Sequence, residues 1–329
     1  MTFRLKNVYT LVAVAGAILV SPLIANAAQL GDATLYNLFV FGSATISNTD
    51  AEGRIAIGGD ATFANYSVAA NIGSGANGSK TEIVGGNLNW SNGQLNYGNG
   101  TYGGSASLSG VGTPNGTISH IASSIDFNAA RTSLQGQSVY LGTLASSGTV
   151  TNSFGVLTLT GANATQNTFT VTRDQFQGAN TLNINVPTTS TTIINVQGTN
   201  VSFFNGQMFL NGVADSRNSY NSKLLFNFYQ ASTLTDTSAA INGSVLAPFA
   251  AATFGYSQLN GTLIVNSLTS TGELHWLQDQ NNPSSASFQF NGNLPANAPS
   301  SVPEPGALTL LVSAGASGLC VARRRRPRK

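Results

Sequence analysis

Charge is scarce in this chain. Asp, Glu, Lys and Arg make up 8% of its 329 residues, against roughly a quarter in an ordinary soluble domain. Cysteine is rarer still: with Cys320 alone, no intrachain disulfide can form, and stability must come from packing and hydrogen bonds. The two histidines, His120 and His275, are remote in sequence. With no further His or usable Cys, a transition-metal site of three or four such ligands is not expected. Nucleotide chemistry lacks its motif as well, because Ile55-Ala-Ile-Gly-Gly-Asp60 carries a glycine pair but no Lys-Ser/Thr after it. The body also has no Gly-x-Ser-x-Gly elbow. No catalytic residue and no cofactor are expected.

The charges that do exist are unevenly placed. Arg4 and Lys6 precede an uncharged run from Leu11 to Val20, followed by Pro22 and the small-residue site Ala25-Asn26-Ala27. Residues 1–27 therefore read as a secretory signal peptide cut after Ala27 and exported by the Sec machinery. At the other end, Pro303-Glu304-Pro305 leads into an apolar run over 306–322, closed by Arg323, Arg324, Arg325, Arg326, Arg328 and Lys329. At roughly 1.5 Å per helical residue this run reaches about 25 Å, short of a hydrocarbon core of roughly 30 Å. The arginines are costly to translocate and hold their end in the cytoplasm, leaving the body on the outer side. Cys320, inside the run, reads as a small apolar residue. These two ends hold eight of the 14 Lys+Arg, whereas all 12 Asp+Glu lie from Asp32 to Glu304, outside both the signal peptide and the apolar run with its basic cluster. The body is net negative, which argues against nucleic-acid binding despite a whole-chain pI of 8.7.

Between the ends, short β-rich runs are punctuated by Gly, Asn and Asp. The glycine pairs Gly58-Gly59 and Gly85-Gly86 recur, and so does an apolar-Asn-Gly-Ser/Thr-apolar-apolar phrase at Ile241 and Leu259. Strands are expected at 156–160, 168–172, 182–186, 192–196, 201–204, 224–229, 241–248 and 259–265. Leu182, Ile184 and Val186 alternate with asparagines in the manner of a half-buried strand. One segment breaks the pattern. From Ser123 to about Leu144, a Ser123-Ser124 cap with Phe127, Ala130, Leu134 and Leu141 on one face predicts a helix that covers an apolar sheet face, with its regular part ending near Gln135 because Gly136 and Gly142 oppose it. Residues 280–301, rich in Asn, Pro, Ser and Ala, read as a linker. The domain itself is assigned to 29–279.

The C-terminal segment and the body each resemble a known family. Residues 302–329, with Pro303-Glu304-Pro305, the apolar segment and the arginine cluster in order, resemble the PEP-CTERM sorting signal of Gram-negative bacteria, which implies processing by the membrane transpeptidase exosortase. The body carries Tyr36-Asn-Leu-Phe-Val-Phe-Gly42, Glu52-Gly-Arg-Ile-Ala-Ile-Gly-Gly-Asp60, Asn195-Val-Gln-Gly198, Gly243-Ser-Val-Leu-Ala-Pro-Phe-Ala250, Asn260-Gly-Thr-Leu-Ile-Val265 and Glu273-Leu-His275. That succession resembles the choice-of-anchor A domain, an adhesin-like module of bacterial surface proteins. Repeat spacings near those of a β-solenoid predict an all-β fold, a right-handed β-helix with one flanking helix near 123–144; the alternative is a β-sandwich.

The candidate site residues follow from this architecture. Asp50 and Glu52, two apart, share a face on a strand, and Asp60 on the next coil is a candidate third ligand for Ca²⁺. Glu273 and His275 share a face by the same rule and read as a structural pair. Trp90, Tyr97 and Tyr102 are candidates for stacking against sugar rings, with burial in the core as the competing explanation. The expected role is that of a secreted, non-enzymatic surface or biofilm-matrix protein whose partner is exopolysaccharide or a neighbouring cell surface. A polysaccharide-active β-helix enzyme and an ice-binding protein are the alternatives. The second would use a flat threonine-rich face, and no regular threonine array is visible in the sequence.

Overall fold

The computed structural model describes residues 30–214, 219–279, 282 and 285–295. The expected signal peptide and the sorting tail lie outside the described residues. Among the described residues no helix is long and apolar enough to cross a membrane.

Among the described residues, short strands separated by corner residues wind into coils, and the coils stack in register to form a 19-stranded sheet whose pairings are parallel throughout. This is the solenoid expected from the repeat spacings. Residues such as Leu38, Val40, Ile55, Ile57, Leu263 and Val265 point inward and are buried completely, each contributing on the order of 2 kcal/mol. Corners are set by small or left-handed residues. A Cβ on Gly85 would meet the Gly58 carbonyl oxygen at 2.4 Å, and one on Gly103 would meet that of Gly85 at 2.3 Å, so the recurring glycine pairs mark one stacked corner. The phrase at Ile241 and Leu259 marks another. Gly243 and Gly261 split each expected strand in two, giving Ala240–Asn242 with Ser244–Phe254, and Gln258–Asn260 with Leu263–Ser270.

The order of coils is not the order of sequence. The first described strand, Leu38–Val40, lies in the middle of the stack, and the coils run outward from it to Ile118–His120, which ends one extremity. Helix α1, Phe127–Gly142, then runs back along one face. Coiling resumes from the opposite extremity at Gln166–Val171 and returns to the middle, where Leu263, Ile264 and Val265 pair with Leu38, Phe39 and Val40. First and last coils thus meet at a seam. A separate five-stranded sheet, containing Val156–Thr160, Thr181–Asn185 and Gln207–Leu210, is built from the connections of the second half.

Helix α1 starts later and ends later than its sequence implies. Its cap is Asp126, which accepts from the amides of Asn128 and Ala129, rather than Ser123-Ser124; the Ser123 hydroxyl instead accepts from the Ile125 amide in its own turn. The helix passes Gly136 because tertiary packing outweighs the roughly 1 kcal/mol propensity cost of a glycine. Leu134 and Leu141 are buried, with Phe127 and Ala130 beside them, against Phe39, Ala56, Ile83 and Ile264. Polar clamps fix the helix as well: Asn195 donates to the Leu141 carbonyl at 2.8 Å, and Asn227 to that of Ser138 at 2.9 Å. A second short helix, α2 at Arg173–Gln177, follows the strand at 166–171, with Thr172 and Gln175 forming a capping box around its first turn.

The expected linker is also revised. Phe288, Phe290 and Leu294 are buried, Leu277 bridges Ser287, and Gln137 of α1 donates to the Pro295 carbonyl at 3.0 Å. Residues 285–295 therefore belong to the folded body. Their Asn- and Ser-rich composition concealed two phenylalanines at strand spacing.

Candidate functional site

One face of the solenoid is formed by a continuous run of eight strands. In spatial order they are Asn200–Ser202, Thr233–Asp236, Ser244–Phe254, Leu263–Ser270, Ala44–Ala51, Ala61–Val68, Leu88–Leu95 and Ala106–Gly112. Alternation sends Val201, Leu234, Ala252, Leu268, Ala44, Ala61 and Leu88 inward, where all are buried. Their neighbours point out. The register aligns Ser202, Thr235, Thr253, Thr269, Thr45, Thr62, Asn89 and Ser107 in one row across the face. Thr235 is half-buried and the other seven are exposed.

Five threonines in succession, extended by serine and asparagine, thus form a hydroxyl row with no charge in it. At a strand spacing of roughly 4.8 Å, the row is about 34 Å long. The regular threonine array that is not visible in the linear sequence is present. It is hidden because coil lengths differ, equivalent positions being 17, 27 and 18 residues apart in the first half, and because Thr45 and Thr269 become neighbours only at the seam. A local signal did exist in the triplets Ala61-Thr62-Phe63 and Ala252-Thr253-Phe254.

The edge of this face is equally ordered. Asn48, Asn65 and Asn92 take φ of 56, 49 and 56°, and Gly110 of 66°, at one stacked corner; the Asn65 amide donates to the Asn48 side chain at 2.9 Å. Asn tolerates this left-handed conformation better than most residues with a Cβ. A second column binds the coils together at the row's other side. Asp60 belongs there: its carboxylate accepts from the Asn87 amide at 2.7 Å, and the Asn87 side chain accepts from the Ser105 amide at 2.8 Å. Asp60 is exposed and does not join Asp50 and Glu52, which corrects the expected calcium trio.

Asp50 and Glu52 instead meet Glu273 and His275 at the seam. Ligand atoms of Glu52, Glu273 and His275 lie within 4.8 Å of one another, yet they are engaged with protein. Glu52 Oε2 accepts from the Trp276 amide at 2.6 Å and the Leu277 amide at 3.3 Å. His275 Nε2 lies 3.1 Å from Glu273 Oε1, and its Nδ1 is 2.7 Å from Asn260 Oδ1, the structural pairing expected for Glu273 and His275. Buried Asn37 completes the latch, donating to the carbonyls of Gly261 and His275 and accepting from the Gly53 amide. Burial, reinforced by Glu273 and then Glu52, pushes Asp50 up to about 6. The cluster can attract a cation, but its geometry is that of a clasp between the two ends of the domain.

A second acid is stranded in the interior. Glu82 replaces an inward aliphatic residue in the column Ile55–Glu82–Gly100–Ile118. Among the described residues its side-chain oxygens are buried without a hydrogen-bond partner, and burial pushes it up to about 8, with the Thr101 backbone pulling the other way. Tyr66, also fully buried, has its hydroxyl raised by burial and by the charges of Asp50 and Glu82.

The aromatic candidates separate. Trp90 is completely buried, packs edge-on against Phe63 at 5.3 Å, and donates to the Tyr66 carbonyl; it cannot stack on a ligand, because strand alternation turns it inward. Tyr102 is half-buried and stacks on His120 at 5.4 Å, so a neighbouring ring occupies one of its faces. Tyr97 borders a surface cavity.

Comparison with known proteins bears on this arrangement. No curated protein matches the chain. Two solved structures are similar to it: an ice-binding protein from an Antarctic biological consortium, with 14% identity, a TM-score of 0.32 and coverage of 82% of this chain and 93% of that one, and an ice-binding protein from the Antarctic ascomycete Antarctomyces psychrotrophicus, with 14% identity, a TM-score of 0.29 and coverage of 75% and 96%. A family model described as "Putative Ice-binding-like adhesive domain" matches residues 29–276, nearly the whole solenoid. The chain belongs to this family of ice-binding-like adhesive domains.

Proposed function

We propose that the protein is a secreted, non-enzymatic adhesive module, and that its continuous row from Ser202 to Ser107 is the surface that adheres. The observation that carries this reading is the row itself: eight uncharged, hydroxyl- or amide-bearing side chains held in register by a rigid parallel sheet. Each contact is weak, about 1 kcal/mol for a neutral hydrogen bond. Rigidity lets many form together with little ordering cost. The matching partner is an extended, uncharged, hydroxyl-rich surface such as exopolysaccharide or the coat of a neighbouring cell. The purified protein is expected to sediment with insoluble matrix polysaccharide at moderate salt. Thr45→Arg combined with Thr62→Arg, which adds bulk and charge to the middle of the row, should leave it in the supernatant; equal sedimentation of both proteins rules the row out.

A second reading is favoured by the five successive threonines at strand spacing. Such a row presents regularly spaced methyls and hydroxyls to ordered water, and the partner would then be ice, in keeping with the family's description. Thermal hysteresis and ice-shaping assays separate the two readings, because the same double substitution abolishes either activity but only one of them exists in the parent.

Export by the signal peptide and removal of the tail by exosortase complete the proposal. Glu304→Ala is expected to leave a membrane-held precursor, and normal processing of that variant would contradict the sorting role.

A further inference from the structure

Residues 69–79 form a loop that joins the strand Ala61–Val68 to Lys80–Val84, at a corner of the solenoid away from the threonine row. Its base is pinned to the first coil. The amides of Ala69, Ala70 and Asn71 donate to the carbonyls of Gly53, Ala51 and Glu52 at 3.2, 3.2 and 3.0 Å. Ala69 is fully buried and held at φ 56°, a strained conformation for a residue with a Cβ that persists only where surroundings enforce it. The far end is closed by the Ser79 hydroxyl, which donates to the Ala76 carbonyl at 2.6 Å. Between residues 70–75 and the ring of Tyr97 this loop encloses an open cavity of about 460 Å³, within the range of small-molecule sites.

The lining is chemically specific. It contains no charged side chain, which disfavours phosphates, carboxylates and metal ions. Ile72 and the Tyr97 ring, both packed against the core, supply an apolar wall. The Tyr97 backbone is fixed by the Thr81 hydroxyl, which donates to its carbonyl at 2.6 Å. The side-chain amide of Asn71 and the hydroxyls of Ser74 and Tyr97, by contrast, make no hydrogen bond among the described residues. A rigid backbone therefore presents an aromatic face beside uncharged donors and acceptors with nothing to bond.

We propose that this cavity docks one ring of an uncharged saccharide, its C–H face against Tyr97 and Ile72 and its hydroxyls on Asn71 and Ser74. A sugar ring has the required duality, an apolar face bordered by hydroxyls, and aromatic side chains with a polar tip suit such ligands. The site is separate from the threonine row and does not depend on its role. A module with both holds a broad surface with one and a chain end or branch with the other.

The test uses the purified protein with methyl glucoside, N-acetylglucosamine and cellobiose as probes, read by saturation-transfer NMR and calorimetry. Transfer to the C–H protons of at least one sugar is expected, with Tyr97→Ala removing it. Asn71→Ala and Ser74→Ala each weaken binding by roughly fivefold, as loss of a neutral hydrogen bond implies. Since Tyr97 touches the core and its truncation can unsettle the fold, the Asn71 and Ser74 variants, which break no protein hydrogen bond, keep the test decisive. Absence of transfer from all three sugars, or transfer unaffected by Asn71→Ala and Ser74→Ala, overturns the proposal. So does binding that disappears in the Thr45→Arg, Thr62→Arg protein, which would place the sugar on the threonine row instead.

Discussion

The two halves of the solenoid solve the same geometric problem with different chemistry. Coils before α1 are stacked through polar columns, the left-handed asparagines at 48, 65 and 92 and the Ser43–Asp60–Asn87 series, and their interior tolerates Tyr66 and an unpaired Glu82. Coils after α1 are filled by rings. Phe176 lies 5.4 to 6.0 Å from Phe203, Phe204, Phe226 and Phe228, and α2 and the five-stranded sheet supply bulk around them. Coil-to-coil side-chain hydrogen bonds occur in both halves, but the larger cluster of rings fills the second. On the face of the threonine row, the outermost strand of the first half, Ala106–Gly112, leaves inward-type Leu108 44% exposed, a measure of how little that end relies on a closed core.

This contrast can be broken most forcefully at Phe176. Phe176→Ala removes the hub of the ring cluster and is expected to cost about 4 kcal/mol, seen as a lower urea midpoint; a loss below about 1 kcal/mol would mean that the second half does not depend on core volume. Glu52→Ala attacks the seam joining the halves. It leaves the buried amides of Trp276 and Leu277 without their acceptor, for about 3 kcal/mol, and hydrogen exchange should accelerate in 263–277 before it does elsewhere.

Acidity sharpens the comparison further. Native Glu82, at about 8 against an ordinary 4.5, keeps a proton that the unfolded chain releases. Stability therefore falls as pH rises from about 4.5 to about 8 and levels off above. Asp50, raised to about 6 from 3.8, adds a smaller decline between those values. Glu82→Gln should flatten the larger slope, so that the variant exceeds the parent at about pH 9 but not at about pH 5. Parallel slopes for both proteins would show that Glu82 is not the source. The smallest effect belongs to the threonine row, where Thr62→Arg is expected to change stability, read from the urea midpoint, by no more than about 0.5 kcal/mol while, on the proposed function, sedimentation with polysaccharide falls.

How legible this was in sequence follows the same division. The α1 face of Phe127, Ala130, Leu134 and Leu141 was visible because a helix writes its burial into local periodicity. Gly58-Gly59 and Gly85-Gly86 were visible because a corner without room for a Cβ recurs in every coil that uses it. The seam was half visible: Glu273 and His275 could be paired by spacing, but Glu52 and Asn37 come from the other end of the chain, and nothing local links them. The threonine row was invisible as a row, since register between coils of unequal length is fixed only by three-dimensional stacking. Trp90 shows the opposite failure. Its type invites a binding role, and only its position opposite Asn89 in strand alternation sends it to the core.

That the first described strand lies in the middle of the stack has a kinetic consequence. Until Leu263–Ser270 has been made and delivered, the strand Leu38–Val40 has only Ile55–Ile57 beside it, and its other edge stays open. Pairing across almost the entire length of the chain is the slow, high-contact-order kind of closure, and an apolar edge left waiting is an aggregation hazard. The last coil thus acts as the completion signal: a protein truncated before Leu263 would retain many of its coils and still be unable to finish folding.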